Sequence, residues 1–378
     1  MKTADFLVLG GGIAGLSAAS ALARHSRVIV LEAEDAVGFH SSGRSATYYH
    51  FGIGNAPVRA LTAFSRGFFE QPPEDFAPGP LCRATPALFI ARPDMVQALH
   101  DLHAEMRKFT DTTAELSEAE MLALFPPLRT GPDAIVAGVV DTGGRRLDAG
   151  GLLQGYVRRV RTSGGEMLTG QRVASIVRES ADWLVETESG DKFSAGVLVN
   201  AAGAWADHVA GLAGVQPLGL QPKRRTIIVF DGPADTDVRD WPFVKAAVDD
   251  FYILPEAGRL MASPVDEIPS IPTDAQPEEY DLALAAWKVE EYTHLKVPRI
   301  AHKWAGLRSF VADRVPTAGF APDAPGFFWL AGQGGYGLQT APAMAAICES
   351  LLCGVAWPEA LEQKGVTAKT VNPRRLLA

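Results

Sequence analysis

The first thirty-two residues constrain this chain more than any other stretch. Phe6-Leu7-Val8-Leu9 is a short apolar run that suits a strand buried on both faces, and it stops at glycine. Gly10-Gly11-Gly12-Ile13-Ala14-Gly15 then satisfies G-x-G-x-x-G and opens an Ala- and Leu-rich helix, Ile13 to Arg24. A second apolar strand, Val28–Leu31, ends at Glu32. Gly10 allows the tight turn, Gly12 a close approach to pyrophosphate, and Gly15 tight helix–strand packing, while the helix N-terminus supplies N–H groups for the phosphates. An acid at the end of the second strand accepts hydrogen bonds from ribose hydroxyls. A ligand-free glycine turn with a solvated Glu32 would not explain why glycines and acid fall in register, so a dinucleotide site is expected.

The bulk numbers narrow the partners. At 378 residues two domains, or one with long insertions, are expected. A net charge of −9 argues against nucleic-acid partners and anionic lipid surfaces. Cys82, Cys348 and Cys353 form no C-x-x-C pair and leave an odd thiol, which fits a reducing cytoplasm. Met1-Lys2-Thr3 runs straight into the first strand, so no targeting leader is expected. No apolar stretch is long enough for a transmembrane segment, leaving a cytoplasmic location, free or peripheral to the inner membrane.

Further along, helices are expected near Gly43–Phe51 and Val58–Glu70. A strand at Ala87–Ala91, helices near Asp94–Thr110 and Ser117–Phe125, and a strand at Ala134–Asp141 follow. Asp148 caps a helix to about Arg161. Strands Val173–Arg178, Trp183–Thr187 and Phe193–Asn200 come next, the last two joined at Gly190-Asp191. Strands Arg225–Phe230, Phe243–Val248, Phe251–Leu254 and Leu260–Ser263 precede a helix at Pro277–Leu295. Strand Phe327–Ala331 leads through a glycine loop into a helix from about Gly337. The alternation implies two interleaved domains: 1–81, 149–217 and 306–378 holding the nucleotide, and 82–148 and 218–305 holding the substrate. His100 and His103, at i,i+3 spacing with no third ligand, read as an exposed helix face.

Choosing between NAD and FAD needs more than the first loop. His40-Ser41-Ser42-Gly43-Arg44-Ser45, soon after Glu32, offers hydroxyls and N–H groups to a second phosphate and a flavin ring, although it also reads as a Ser-rich helix cap. Gly332-Gln333-Gly334-Gly335-Tyr336-Gly337 again follows a strand and opens a helix, but no second β–α–β with a terminal acid follows. Its helix N-terminus suits the flavin edge on which negative charge collects during reduction.

With these phrases the chain resembles the FAD-dependent amine and amino-acid oxidoreductases of the D-amino acid oxidase, glycine oxidase and sarcosine oxidase superfamily, and among them the bacterial D-arginine dehydrogenases. Gly43-Arg44-Ser45-Ala46, Asn200-Ala201-Ala202-Gly203-Ala204-Trp205, Gln221-Pro222-Lys223-Arg224-Arg225, and Trp304-Ala305-Gly306-Leu307-Arg308-Ser309-Phe310 carry the likeness with the final glycine loop. The resemblance implies an α/β fold with a glutathione-reductase-like FAD-binding Rossmann domain and an interleaved antiparallel-sheet substrate domain. It implies non-covalent FAD held by Gly10, Gly12, Ile13, Ala14, Gly15, Glu32 and Ala33. Ser41, Ser42, Gly43, Arg44, Ser45, Ala46, Val173, Ala202, Gly203 and Trp205 would extend that site. Gly334, Gly335, Tyr336, Gly337, Leu338 and Gln339 would complete it.

It further implies that Arg308 grips a substrate carboxylate, helped by Tyr252, with Gly335 and Gln339 beside the flavin and Arg225 near the pocket. On the residues alone Arg308 makes sense, because a guanidinium forks onto a carboxylate and cannot be neutralised. Tyr252 alone reads as a core aromatic, and Arg225 as part of a solvated Lys-Arg-Arg run.

The chain departs from the arginine-specific pattern. That pocket uses a glutamate, a histidine and a tyrosine where this chain has Ala87, Tyr48 and Ile53. Without a counter-charge at 87, a neutral and preferably apolar substrate side chain is expected. The expected reaction is oxidative deamination of a D-amino acid, with hydride passing from Cα to FAD and electrons going on to a quinone or other acceptor. Alternatives are an oxidase of sarcosine-like N-alkyl or cyclic amino acids, and a non-enzymatic flavin-binding protein.

Overall fold

The computed structural model describes residues 1–377. Its first sheet has eight strands, in the order Val173–Glu179, Asp182–Thr187, Lys192–Asn200, Lys2–Leu9, Val28–Leu31, Glu166–Leu168, with Phe327–Ala331 and Thr317–Phe320 joining beside Lys192–Asn200. That last strand is shared. Its first half pairs antiparallel with Asp182–Thr187, and Leu198–Asn200 pair parallel with Phe327–Trp329. The parallel strands are buried on both faces, which their unbroken apolar runs require. Helices Ile13–Leu22 and Gly337–Cys353 pack together, so both glycine loops open on the same region.

The second sheet has nine strands and runs Ile268–Pro269, Gln221–Phe230, Arg259–Ser263, Tyr252–Glu256, Phe243–Ala246, Ala87–Ala91, Ala137–Asp141, Thr113–Leu116, with Ile300–Phe310 also paired to Gln221–Phe230. A three-stranded ribbon of Tyr48–Tyr49, Arg145–Leu147 and Cys82–Ala84 completes the sheets. One cluster of buried side chains joins the second sheet to the ribbon and the helices over it.

Several expectations need correction. Gly43–Phe51 is not a helix: turns through residue 45 lead to Thr47 at φ 50° and then to strand Tyr48–Tyr49. A left-handed β-branched residue followed by paired aromatics is incompatible with helix, and Ser45 Oγ accepts from the Thr47 N–H at 3.1 Å to fix the bend. Strands Thr113–Leu116, Arg145–Leu147, Glu166–Leu168 and Thr317–Phe320 were unexpected because each is at most four residues long, too short for a periodic signal. The boundary expected at 305/306 cuts strand Ile300–Phe310, whose whole length pairs with Gln221–Phe230. Arg308 therefore sits on the second sheet, opposite Lys223. His103 is half-buried and bonds to Thr113 at 3.1 Å, which also departs from an exposed face.

Candidate active site

Three cavities run end to end. The first is lined by Gly10, Gly12, Glu32, Ala33, Val173 and Trp205 among others. It shares Gly12, Ser41, Ser42 and Gly203 with the second, which reaches Arg308 and the loop Gly332–Gly335. The second shares Ser45, Arg225, Arg308 and Gly335 with the third, which lies over the second sheet.

The first glycine loop is built by sterics. Gly10 has φ +113°, and a Cβ there would lie 2.4 Å from the Ala201 carbonyl oxygen. A Cβ on Gly15 would lie 1.9 Å from the Gly10 carbonyl oxygen. Glu32 is buried and accepts from the Gly11 N–H at 2.6 Å and the Glu34 N–H at 2.9 Å, yet it still lines the cavity. Ser42 Oγ accepts from the Ile13 N–H at 2.9 Å. Arg44 ties the loop to the second sheet, pairing with Asp274 at 2.6 Å and donating to the Ala275 and Ala305 carbonyls, each at 3.2 Å.

The second glycine loop makes room for Arg308. Gly332 and Gly334 have φ +72° and +54°. A Cβ on Gly335 would come within 2.9 Å of Arg308 Nη1, so glycine lets the guanidinium lie against the loop. Arg308 makes no hydrogen bond or ion pair among the described residues. In a cavity wall that is the signature of a charge waiting for an outside anion. Nearby, Tyr252 Oη and His50 Nδ1 are buried without partners. Phe243 stacks on Tyr48 with centroids 4.4 Å apart, and the Tyr48 hydroxyl is tied to the Thr85 carbonyl.

Three basic side chains of the third cavity are shifted in pKa by their surroundings. Burial, then the charges of Lys245 and Arg59, push His50 down to about 3, so it is neutral at ordinary pH. Burial and the neighbouring Arg308 charge lower Arg225 to about 10. Burial also lowers Lys245, opposed by Asp249 at 3.1 Å. No group of acidic, histidine or cysteine side chains suited to a metal occurs among the described residues.

Against known proteins, the family model described as "DAO: FAD dependent oxidoreductase" matches residues 5–351. The chain belongs to this family of FAD-dependent oxidoreductases. It is 24% identical over 224 residues to L-2-hydroxyglutarate dehydrogenase of Salmonella houtenae; the match takes in 56% of this chain and about half, 50%, of the relative's length. Its fold is similar to that of L-alpha-glycerophosphate oxidase from Mycoplasma pneumoniae with FAD bound, with a TM-score of 0.83 at 20% identity, covering 93% of this chain and 95% of the other. Glycine oxidase from Geobacillus kaustophilus superposes with a TM-score of 0.81 at 20% identity, covering 97% and 96%.

For a member of the DAO family the cofactor is FAD, and the first two cavities have the residues to hold it. Gly10, Gly12 and Glu32 would face its nucleotide end, and Ser41, Ser42, Ser45, Gly334, Gly335, Gly337 and Leu338, which line the second cavity, would face its flavin end. Four expected site residues, Gly15, Gly43, Gln339 and Ala87, line none of the three cavities. The Gln339 amide accepts from the His50 N–H at 3.3 Å and donates to the His50 carbonyl and Thr62 Oγ1. Ala87 is fully buried and off the cavity wall, so its side chain sets no pocket polarity.

Sequence reading missed Lys245 as a wall residue, and His50, Arg59 and Asp249 altogether. Alternation along Phe243-Val244-Lys245 could have flagged Lys245, since the lysine shares a face with Phe243. Nothing in the sequence marks Arg59, which helix Ala56–Glu70 swings under the cavity. The expected apolar wall is therefore charged, because strand pairing brings in side chains from segments distant in sequence.

Proposed function

We propose that this protein is a flavin-dependent D-amino-acid dehydrogenase that oxidises the Cα–N bond of its substrate. Arg308, unpaired and set between the flavin loop and the third cavity, carries the reading. FAD, when bound, accepts the hydride from Cα. Arg308 would fork onto the α-carboxylate and Tyr252 Oη would donate to it, fixing Cα against the loop at Gly335. The imino acid product hydrolyses in water to a 2-oxo acid and ammonia.

An amine suits the cavity better than an alcohol. A substrate ammonium can lose its proton to water before reaction, whereas an alcohol needs a base, and His50, held near 3, is a poor one. A second reading, oxidation of a sarcosine-like N-alkyl or cyclic amino acid, draws support from the likeness to glycine oxidase. The acceptor in our reading is a quinone or another carrier, and the location is cytoplasmic. We also assign residues 1–81, 149–217 and 311–378 to FAD binding and 82–148 and 218–310 to the substrate side, which keeps strand Ile300–Phe310 whole. The deciding experiment is anaerobic flavin reduction by D- and L-amino acids and their N-methyl forms. Bleaching by D-amino acids supports the proposal; bleaching only by L- or N-methyl forms refutes it.

A further inference from the structure

The charges lining the third cavity do not balance. The basic side chains are Arg59, Arg225, Lys245, Arg308 and the rim residue Arg314, against Asp249, Glu267 and the rim residue Asp313, with His50 neutral. The wall carries a net charge of +2. The acids are already committed. Glu267 is shared by Lys223 at 2.9 Å, Arg225 at 3.4 Å and Arg314. Arg59 donates to the Phe51 carbonyl at 2.8 Å, and its one ion-pair partner among the described residues is Glu105, at 3.9 Å and outside the cavity.

Buried like charges without counter-ions are costly, so a ligand that supplies negative charge is favoured in proportion to it. With its amine neutral for reaction, an amino acid with a neutral side chain brings one negative charge. One with a basic side chain brings none, and one with an acidic side chain brings two, which balances the wall.

The placement of the cations matches two anionic groups rather than one. Arg308 lies on strand Ile300–Phe310 and Lys245 on strand Phe243–Ala246, separated in the sheet by the strands of Arg225, Met261 and Tyr252. Both line the third cavity, near enough for the Arg308 charge to help lower Lys245. Lys245 is buried but its counter-ion Asp249 is more than half exposed, so a ligand carboxylate can take Asp249's place while Asp249 turns to water. His50 lines the same cavity, and its buried Nδ1 has no hydrogen-bond partner among the described residues.

We infer that the substrate is an acidic amino acid, or a dicarboxylate analogue of one, with its α-carboxylate on Arg308 and its second carboxylate on Lys245. This rests on the proposed role of Arg308 and replaces the apolar preference expected from Ala87.

The test uses the FAD-loaded protein. D-Glu and D-Asp are compared with D-Gln, D-Asn, D-Leu and D-Lys in anaerobic flavin reduction, and glutarate is compared with valerate as a non-reacting ligand by its perturbation of the flavin spectrum. We expect D-Glu or D-Asp to exceed its amide by at least tenfold in kcat/KM, and glutarate to bind at least tenfold more tightly than valerate. Lys245→Met should bring both ratios to within about twofold, and Lys245→Arg should restore them. Should Lys245→Met not fold, Lys245→Gln, which keeps a polar end but no charge, should bring both ratios to within about twofold in its place. Equal or faster reduction by D-Gln, D-Leu or D-Lys, with valerate matching glutarate, overturns this inference and leaves the amino-acid reading standing. Tight glutarate binding with no reduction by any amino acid does the reverse.

Discussion

Replacing Arg308 with leucine removes a charge that forms no ion pair among the described residues. Deleting an ion-paired arginine orphans a carboxylate, but deleting this half-buried one orphans none among the described residues. Its charge helps depress Arg225 and Lys245 and also helps lower Asp249, so its loss relieves two repulsions against one attraction. Stability should therefore change by no more than about 0.5 kcal/mol, the range of substitutions that break no partner, or roughly 2 °C in Tm. The substrate carboxylate is where the cost falls. Stripping a desolvated carboxylate of its partner costs about 3–5 kcal/mol, which is roughly 10²–10⁴-fold in kcat/KM. Arg308→Lys should recover only part, since an ammonium cannot fork. The assay is anaerobic stopped-flow reduction of the flavin, with Tm and bound FAD measured on the same samples. A loss below tenfold, or a fall in Tm of many degrees with loss of FAD, would refute the reasoning and make Arg308 a structural residue.

Four further outcomes follow from the same geometry. Gly15→Ala should abolish FAD retention, because its Cβ would lie 1.9 Å from the Gly10 carbonyl oxygen and the turn must open; purified variant that stays fully yellow would contradict this. His50, held near 3 in the fold against an ordinary value near 6.5, takes up its proton more readily in the unfolded chain. Its contribution is therefore present above pH 6.5 and is lost as pH falls towards 3, by about 2 kcal/mol between pH 6.5 and 5; urea unfolding of His50→Leu should show a correspondingly flatter acid limb, and an unchanged limb would count against it. Acid precipitation should leave a colourless pellet and free FAD, since none of Cys82, Cys348 and Cys353 lines the three cavities. Reduced flavin should reoxidise slowly in air, because a free ammonium would stabilise the negative charge that develops on oxygen, whereas Lys245 Nζ is held by Asp249 and by the Ala246 and Val248 carbonyls; rapid reoxidation would make the protein an oxidase.

The opening β–α–β, with Gly10, Gly15 and Glu32, was legible in the sequence because its requirements are local: a turn that admits no Cβ, a helix start, and an acid one strand later. The same holds for the glycine loop before Gly337. Both are runs in which each residue's constraint comes from neighbours a few positions away. The third cavity is different. Its floor is made where Ile300–Phe310 meets Gln221–Phe230 and where Phe243–Ala246 lies between Tyr252–Glu256 and Ala87–Ala91. That Lys245 lines the cavity while Ala87, paired with Phe243 on the same face, does not, depends on how distant strands pair and on what packs over them, not on either residue's neighbours in sequence. The segment 43–51 was misread for a related reason: its left-handed Thr47 and paired Tyr48–Tyr49 are held by a ribbon whose partner strand, Arg145–Leu147, lies about a hundred residues away. Local sterics settle how the nucleotide end is built, whereas the balance of charge that meets the substrate exists only once distant strands are paired.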